Sequence, residues 1–439
     1  MPQTAVHTSA LRPEIARRLE EARERTLLLV GNLSDEALHQ QHDPLMSPII
    51  WDIGHIAHFE ELWLTQNLDG PIEFSEMPGM YNPFEHPRAT RAALPIPPLA
   101  EMLTRLSEIR ERVLERLETI DFDEANPLTA GGYVYNMVLQ HEYQHNETIL
   151  QTLQLKLGRP YRAPRSAPRL RVTDTPATYG DMVAVPAGIY SIGTDDRTSA
   201  YDNERPRQDV QLEAFRIDRT PVTNGAWLEF MREGGYTTTS LWTDAGRKWL
   251  ADSRADSPKY WTRDGSDWTQ RSMDFTSSVD PSHPVCHVSY HEAEAFARWA
   301  GKRLPTEVEW EVAASWDPAT RTAQTYPWGE VSPSRELANI DQLSFGTTPV
   351  LSYRDVSPLG CNGMIGDVWE WTSSDFHGYS GFEAFPYPEY SQEFFGSDYK
   401  VLRGGSWATR PGAIRNTFRN WDYPIRRQIF SGLRCAASV

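Results

Sequence analysis

The chain has 439 residues, which is too long for one ordinary hydrophobic core and predicts two or three domains. Hydrophobic residues make up 39% of it and charged residues 23%, the balance of a soluble globular protein and not of a disordered one. Its net charge of −17 would repel phosphate backbones, so we expect no nucleic acid partner.

Targeting and redox signals point to the cytoplasm. The sequence has no apolar run approaching the roughly 20 residues that span a bilayer, so we expect no membrane association. The N-terminus lacks the charged-then-apolar layout of a signal peptide. Three scattered cysteines, Cys286, Cys361 and Cys435, make neither a disulfide framework nor a zinc cluster. We therefore expect a cytoplasmic protein, and we expect it to be a monomer.

Residues 1–158 are predicted to form a four-helix bundle that carries the functional site. The first helix shows an apolar face at steps of four and three, formed by Ile15, Leu19, Ala22, Thr26 and Leu29. The second helix is predicted from Ser47-Pro48 through Leu62, and the third from Pro98 to about Ile120. The fourth is predicted to begin after Gly131-Gly132 and to end at Leu157. Short connections and one longer loop near 70–97 are typical of a helical bundle.

The remainder of the chain lacks the helical periodicity of the first part. Residues 159–180 carry four prolines and five arginines and are predicted to be an extended linker. Residues 181–439 are predicted to be a loop-rich α+β domain. Its strand-like segments are 182–188, 285–290 and 400–407, and its two predicted helices are Thr223–Glu233 and His291–Trp299.

Two histidines in HEYQHNETILQ predict a metal site. His141 and His145 are four residues apart on a helix, so both rings lie on one face. Val134, Val138 and Thr148 continue the same stripe, which places the pair towards the bundle interior. Buried imidazole nitrogens must be satisfied, and a shared cation satisfies both.

The segment also matches the H-E-x-x-H motif of zinc proteases, in which Glu142 would be the general base. That mechanism needs a third ligand soon after the motif. The next histidine is His283, and the arginine-rich stretch near position 165 has no glutamate. We therefore reject the protease interpretation.

The third ligand should come from another helix of the bundle. His55 in SPIIWDIGHIAHFEELW is the best candidate, because it follows Trp51 by one turn on a partly apolar face. His58 is the competitor, although the acidic pair Glu60-Glu61 follows it. Three neutral nitrogens with open positions suit Fe(II), Zn(II) or Cu(II), and the residues do not choose between these metals.

Both halves resemble known families. WDIGHIAHFEELWL, HEYQHNETILQ and YNPFEHPRATRAALP resemble the sulfoxide synthases of ergothioneine biosynthesis and, more distantly, those of ovothiol biosynthesis. FRIDRTPVTNGAWLEF, KRLPTEVEWEVAA, YPWG, GDVWEWT, VLRGGSW and FSGLRCA resemble the formylglycine-generating-enzyme fold, which is related to C-type lectins. The implied fold is an α+β multidomain protein with a DinB-like four-helix bundle followed by a formylglycine-generating-enzyme-like domain.

The resemblance implies a reaction. Such enzymes hold non-haem Fe(II) on three histidines, which match His55, His141 and His145 here. They use dioxygen to join a thiol sulfur to C2 of the imidazole of Nα-trimethylhistidine (hercynine), with oxidation of the sulfur to a sulfoxide. The implied thiol substrate is γ-glutamylcysteine.

The resemblance also implies the roles of further residues. Arg88 and Arg91 match the pair that grips the carboxylates of the thiol substrate, a task suited to planar guanidinium groups. Contacts to hercynine are implied for Gln144, Asn420 and Trp421, and a contact to the thiol substrate for Asp422. Tyr387 matches the active-site tyrosine that donates a proton or a hydrogen atom, with Tyr379 and Tyr390 as neighbours in sequence.

Two features of the second half bear on other relatives. Formylglycine-generating enzymes use a pair of reactive cysteines near the end of their fold, where this chain has Cys435 alone, predicted to be buried as a small apolar residue. Asn362, Gly366 and Asp367 resemble a loop that binds calcium in some relatives, which would be a structural Ca²⁺ site.

Three rival functions stay open. The same reaction could take free cysteine, or an ovothiol-type synthase could join cysteine to C5 of histidine, although no nucleotide motif of an accompanying methyltransferase is present. A non-catalytic ligand-binding module with a structural metal is the rival from another class. That module predicts a closed four-ligand site and no oxygen consumption.

Overall fold

The computed structural model describes residues 2–68, 79–156, 160–164, 180–353 and 355–439. The chain divides into two units. The helical unit comprises Met1–Gly158, Asp196–Asp202 and Ala384–Tyr390, and the mixed unit comprises Arg159–Asp195, Asn203–Glu383 and Ser391–Val439. Among the described helices, none is long and apolar enough to cross a bilayer.

Within the residues that the structure describes, the helical unit contains five α-helices. They are α1 (Pro2–Val30), α2 (Asp35–His39), α3 (Ile49–Leu64), α4 (Leu99–Thr119) and α5 (Tyr133–Leu155). The four long helices confirm the predicted elements, and their boundaries follow local signals. Proline at positions 48 and 98 precedes α3 and α4, and Gly132, with a φ of 79°, precedes α5.

The four long helices enclose one core. Helix α1 packs against α4 and α5, and α3 packs against the same two helices, so each long helix has two neighbours. Helix α3 is buried almost all round, including Trp51, Ile53, Phe59 and Trp63. A helix apolar on every side belongs at the centre of its unit, and this central position brings the polar residues of α3 into the interior.

The described part of the mixed unit contains four helices and fourteen short strands. The helices are α6 (Asn224–Arg232), α7 (Asp244–Ser253), α8 (Tyr290–Trp299) and α9 (Glu307–Ser315). The strands are β1 (Met182–Val185), β2 (Gly188–Ile192), β3 (Gln208–Leu212), β4 (Phe215–Asp218), β5 (Trp261–Asp264), β6 (Asp267–Ser272), β7 (Phe275–Ser278), β8 (Trp316–Asp317), β9 (Thr322–Ala323), β10 (Trp369–Phe376), β11 (Gly396–Arg403), β12 (Asn420–Asp422), β13 (Ser431–Gly432) and β14 (Ala436–Ser438).

These strands form several small sheets. The largest has four strands in the order β12-β11-β10-β13, and β1-β4-β14 and β5-β6-β7 are three-stranded. The pairs β2-β3 and β8-β9 complete the set among the described residues. A core cluster that includes Val185, Ile217 and Trp310 lies beneath the sheet β1-β4-β14 and α9. This architecture agrees with the predicted loop-rich α+β class.

Two details of the predicted second half are wrong. Helices α7 and α9 were not predicted, although Thr306 and Glu309 form a capping box at the start of α9. Residues 285–290 do not form a ladder strand. His287 has a φ of 66°, which breaks the alternation, and Ser289 already caps α8. The predicted linker lies largely outside the described residues.

Candidate metal centre

Three histidines converge inside the helical unit. His55 comes from α3, and His141 and His145 come from α5 one turn apart. One ring nitrogen of each lies within 4.8 Å of the other two, and the Nε2 atoms of His55 and His141 are 3.2 Å apart. Among the described residues this is the one group of three or more metal-ligating side chains. The structure therefore brings together the three residues that the sequence selected.

His55 is oriented from both sides of its ring. Its Nδ1 lies 2.9 Å from the backbone carbonyl of Tyr81. Because a carbonyl only accepts, Nδ1 carries the proton and Nε2 carries the lone pair. The indole of Trp51, one turn earlier, stacks on the imidazole at 4.8 Å between ring centroids. The lone pair of Nε2 thus points into the group of histidines.

His145 and His141 are each held by a different contact. Nδ1 of His145 lies 3.1 Å from a carboxylate oxygen of Asp52, so its Nε2 is again the nitrogen left for a metal. The ring of His141 stacks on Phe59, with centroids 3.7 Å apart and planes at 13°. Three rings on two helices are therefore fixed before any ligand binds.

The spacing of the His55 and His141 nitrogens fits a shared metal ion. Metal–imidazole bonds of about 2.0–2.1 Å place neighbouring ligand nitrogens roughly 3.0–3.4 Å apart. The 3.2 Å separation of the two Nε2 atoms falls in that range. Burial, reinforced by the neighbouring His145, lowers the pKa of His55 and of His141 well below the ordinary value, so both of these rings are neutral ligands at neutral pH. His58, the competing candidate, is not part of the group.

Glu142 does not face the histidines as a protease base would. Its carboxylate pairs with Arg23 at 3.0 Å and accepts a hydrogen bond from Thr26 at 2.7 Å. Arg23 and Arg110 also pair with Glu60, so four charged side chains form a buried network between the helices. Burial alone would raise the pKa of Glu60, but the two guanidinium charges hold it below its ordinary value. The network gives Glu142 a structural role between the helices.

Tyr387 lies in the helical unit although it is distant in sequence. Its ring stacks on Trp63 at 5.0 Å and meets Phe59 edge-on at 6.4 Å, so Phe59 contacts both Tyr387 and His141. Burial, reinforced by Tyr201 and Asp202, raises the pKa of Tyr387 well above its ordinary value. The phenol therefore keeps its proton at neutral pH.

Gln144 takes part in a polar cluster next to these rings. Its amide nitrogen donates to the hydroxyls of Tyr201 at 2.9 Å and Tyr390 at 3.3 Å. The two tyrosine rings stack at 4.3 Å. In this orientation the amide oxygen of Gln144 is the group that can accept from a substrate.

The two predicted arginines differ in their burial. Arg88 is exposed. Arg91 is buried, lies over the ring of Trp51 at 3.6 Å, and donates to Ser47 at 2.7 Å and to the His86 carbonyl at 2.8 Å. Burial, together with the charge of Arg88, lowers the pKa of Arg91 to about 9. Much of the guanidinium of Arg91 is thus committed to the protein.

Asn420, Trp421 and Asp422 form strand β12 of the mixed unit, where all three are half-buried. Trp421 stacks on Phe376 at 4.1 Å, and Asp422 lies 3.5 Å from Arg426. One face of the indole is therefore covered by the domain's own core.

The predicted calcium loop and Cys435 also lie in the mixed unit. The Asp367 carboxylate accepts hydrogen bonds from Asn339 and from the backbone of Thr348, both at 2.7 Å. Burial raises the pKa of Asp367 to about 7, and calcium at Asn362, Gly366 and Asp367 stays a prediction. Cys435 is fully buried, as predicted.

Four residues around the histidines were not predicted from the sequence. They are Asp52, Phe59, Tyr81 and Tyr201. Asp52 and Phe59 sit one turn before and after His55, so the helical period could have indicated them. Tyr81 and Tyr201 come from loops, and their contacts depend on the tertiary fold.

Comparisons with known proteins cover both units. Residues 169–439 match the family model described as sulfatase-modifying factor enzyme 1-like domain, and residues 18–149 match that of the DinB superfamily. These two matches confirm the predicted fold class.

Individual relatives extend the likeness over the full chain. The chain is 43% identical to the hercynine oxygenase of Mycolicibacterium thermoresistibile, over 98% of this chain and 95% of that protein. It is likewise 43% identical to the hercynine oxygenase of Mycobacterium tuberculosis, over 97% of this chain and 99% of that protein. The formylglycine-generating enzyme of Bos taurus is 30% identical over 64% of this chain and 80% of that protein. The first two likenesses span nearly the whole of this chain.

Proposed function

The chain belongs to the hercynine oxygenase family and is an oxidoreductase, and from this premise we propose that it is an iron(II)- and dioxygen-dependent sulfoxide synthase. It joins the thiol of γ-glutamylcysteine to C2 of the imidazole of hercynine and oxidises the sulfur to a sulfoxide. The hydrogens lost from the thiol and from C2 leave with one oxygen atom of dioxygen as water, and the other oxygen atom enters the sulfoxide. A monomeric, cytoplasmic enzyme is part of the proposal.

The observation that carries the proposal is the group formed by His55, His141 and His145. Its three imidazole nitrogens leave coordination positions for substrates. Zinc has no redox chemistry, so the oxidoreductase assignment favours a redox-active metal. When bound there, iron(II) would favour the thiolate form of the thiol substrate and would support electron transfer to dioxygen.

Tyr387 is proposed to supply a proton during the reaction. Its raised pKa keeps the phenol protonated, and the stacking on Trp63 fixes its ring. A positioned donor of this kind contributes roughly 10²–10⁴-fold to the rate of a proton-transfer step. Because the tyrosine is buried, bulk water does not compete for its hydroxyl.

Gln144 is proposed to orient the imidazole of hercynine. Its amide hydrogens are directed to Tyr201 and Tyr390, so its carbonyl oxygen accepts the ring N–H of the substrate. Asn420 and Trp421 are proposed to contact hercynine as well, where the exposed part of the indole would attract the trimethylammonium group. Asp422 is proposed to pair with the ammonium group of the thiol substrate.

Arg88 and Arg91 are proposed to bind the carboxylates of γ-glutamylcysteine. Arg88 is exposed and has the greater freedom to do so. Arg91 already donates to Ser47 and to a backbone carbonyl, which reduces what it can offer to a second carboxylate. That observation favours free cysteine as a second candidate thiol.

Oxygen uptake by the Fe(II)-loaded protein with hercynine tests the proposal. Each of γ-glutamylcysteine and cysteine is supplied in turn, and the product is identified by mass spectrometry. We expect uptake that requires both hercynine and γ-glutamylcysteine, and a sulfoxide conjugate as the product. A preference for cysteine would overturn the assignment of the arginines but keep the reaction class. No uptake with either thiol, or uptake only when histidine replaces hercynine, would refute the proposed substrate pair.

A further inference from the structure

Asp52 is a buried carboxylate next to one of the three histidines. It lies on α3 three residues before His55 and is only 1% exposed. Its Oδ1 is 3.1 Å from Nδ1 of His145 on α5. Its Oδ2 is also buried and has no hydrogen-bond partner among the residues that the structure describes.

A buried carboxylate oxygen without a hydrogen-bond partner lowers the stability of the fold. A buried polar atom without a partner loses its hydration and gains nothing in return, and the penalty is larger when the group is charged. Two other buried carboxylates of the bundle, Glu60 and Glu142, differ in this respect, because each is paired with an arginine. A costly residue next to the histidines indicates a role in the site and not in folding.

We propose that Asp52 is a positioning residue of the metal centre. A carboxylate oxygen accepts the hydrogen on Nδ1 of His145, which fixes the tautomer with the lone pair on Nε2. The same bond fixes the rotation of the ring, so that Nε2 faces His55 and His141. This inference rests on the proposed role of the three histidines as metal ligands.

The charge of Asp52 adds to its effect on geometry. Three imidazoles would leave the charge of a bound divalent cation uncompensated, and the carboxylate of Asp52 would be separated from that cation by the imidazole of His145. A carboxylate hydrogen-bonded to a ligating histidine raises the basicity of the ligand, and removal of such a partner typically weakens metal binding by about 10–100-fold. The corresponding partner of His55 is the neutral backbone carbonyl of Tyr81. Of these two partners of the histidine rings, only Asp52 therefore contributes a charge.

Titration of the metal-free protein with Co(II), under anaerobic conditions, tests the role without any turnover. Asp52→Asn keeps the shape and one acceptor oxygen but removes the charge, and Asp52→Ala removes both. Asp123→Asn is the matched control, because Asp123 is an exposed carboxylate of the same unit that accepts the backbone N–H of Ala125. Thermal unfolding of each metal-free variant is measured alongside.

We expect Asp52→Ala to weaken Co(II) binding by about 10–100-fold and Asp52→Asn to weaken it less. Both should shift the visible absorption bands of bound Co(II), whereas the metal-free variants should unfold at or above the wild-type temperature. Wild-type affinity and spectrum in both variants would overturn the proposal. A loss of stability in the metal-free Asp52→Asn protein would assign the residue to the fold instead. If the wild-type protein itself bound no Co(II), the three-histidine centre would fall together with this inference.

Discussion

Replacement of Gly54 by alanine should weaken metal binding, because it should displace Tyr81, whose backbone carbonyl orients His55. A Cβ at position 54 would lie 2.7 Å from the hydroxyl oxygen of Tyr81 and closer still to two of its ring carbons. Ordinary contacts between heavy atoms are about 3.5 Å or more, so the ring must move by roughly 1 Å. Tyr81 is buried, and its carbonyl orients His55. We expect a loss of about 1–3 kcal/mol in the free energy of unfolding and weaker metal binding.

Denaturant unfolding of the metal-free protein and Co(II) titration measure the two effects separately. Gly346→Ala is a matched control, because a Cβ there would meet only the side-chain oxygen of Ser272, at an ordinary 3.6 Å. It should change the free energy of unfolding by less than about 0.5 kcal/mol and leave Co(II) affinity unchanged. Wild-type stability and affinity in Gly54→Ala would refute the close packing of Tyr81 and its role in orienting His55.

Three further variants test other parts of the account. Glu142→Gln breaks a buried ion pair and should lower the free energy of unfolding by about 3 kcal/mol, measured by denaturant unfolding. The folded variant should still catalyse the reaction. An inactive but fully stable variant would indicate that Glu142 has a catalytic role. Burial, with a smaller contribution from Lys400, lowers the pKa of His291 to about 4. The unfolded chain therefore binds a proton that the folded chain does not, and stability is lost as the pH falls below about 6.5. His291→Gln should reduce the slope of unfolding free energy against pH between pH 6 and 4.5 by up to about 1.4 kcal/mol per unit, and an unchanged slope would contradict the burial of a neutral ring. Tyr387→Phe should retain Co(II) affinity and lower turnover by roughly 10²–10⁴-fold; wild-type turnover would exclude Tyr387 as the proton donor.

Local periodicity was sufficient to predict the four long helices of the helical unit and the histidine pair. The spacing of His141 and His145 depends only on the helical repeat, so it needs no tertiary information. The partly apolar face of its helix favours His55 over His58, and the structure places His55 in the group. These features come from short-range patterns, which sequence reasoning resolves well.

Contacts between distant segments could not be predicted in the same way. Segments Asp196–Asp202 and Ala384–Tyr390 belong to the helical unit, although the surrounding chain belongs to the mixed unit. Tyr201 and Tyr387 lie on these segments, where Tyr201 accepts a hydrogen bond from Gln144 and Tyr387 stacks on Trp63. The burial of Arg91 against Trp51 is likewise a tertiary effect, and a sequence shows only an arginine in a proline-flanked loop.

The most direct test of the central claim compares the wild-type protein with His141→Ala after anaerobic loading with Fe(II) and exposure to dioxygen, hercynine and γ-glutamylcysteine. Bound iron and the sulfoxide conjugate are quantified in the same samples. The account predicts one iron per chain and conjugate formation in the wild-type protein, and loss of both in the variant. Full conjugate formation by His141→Ala would contradict it.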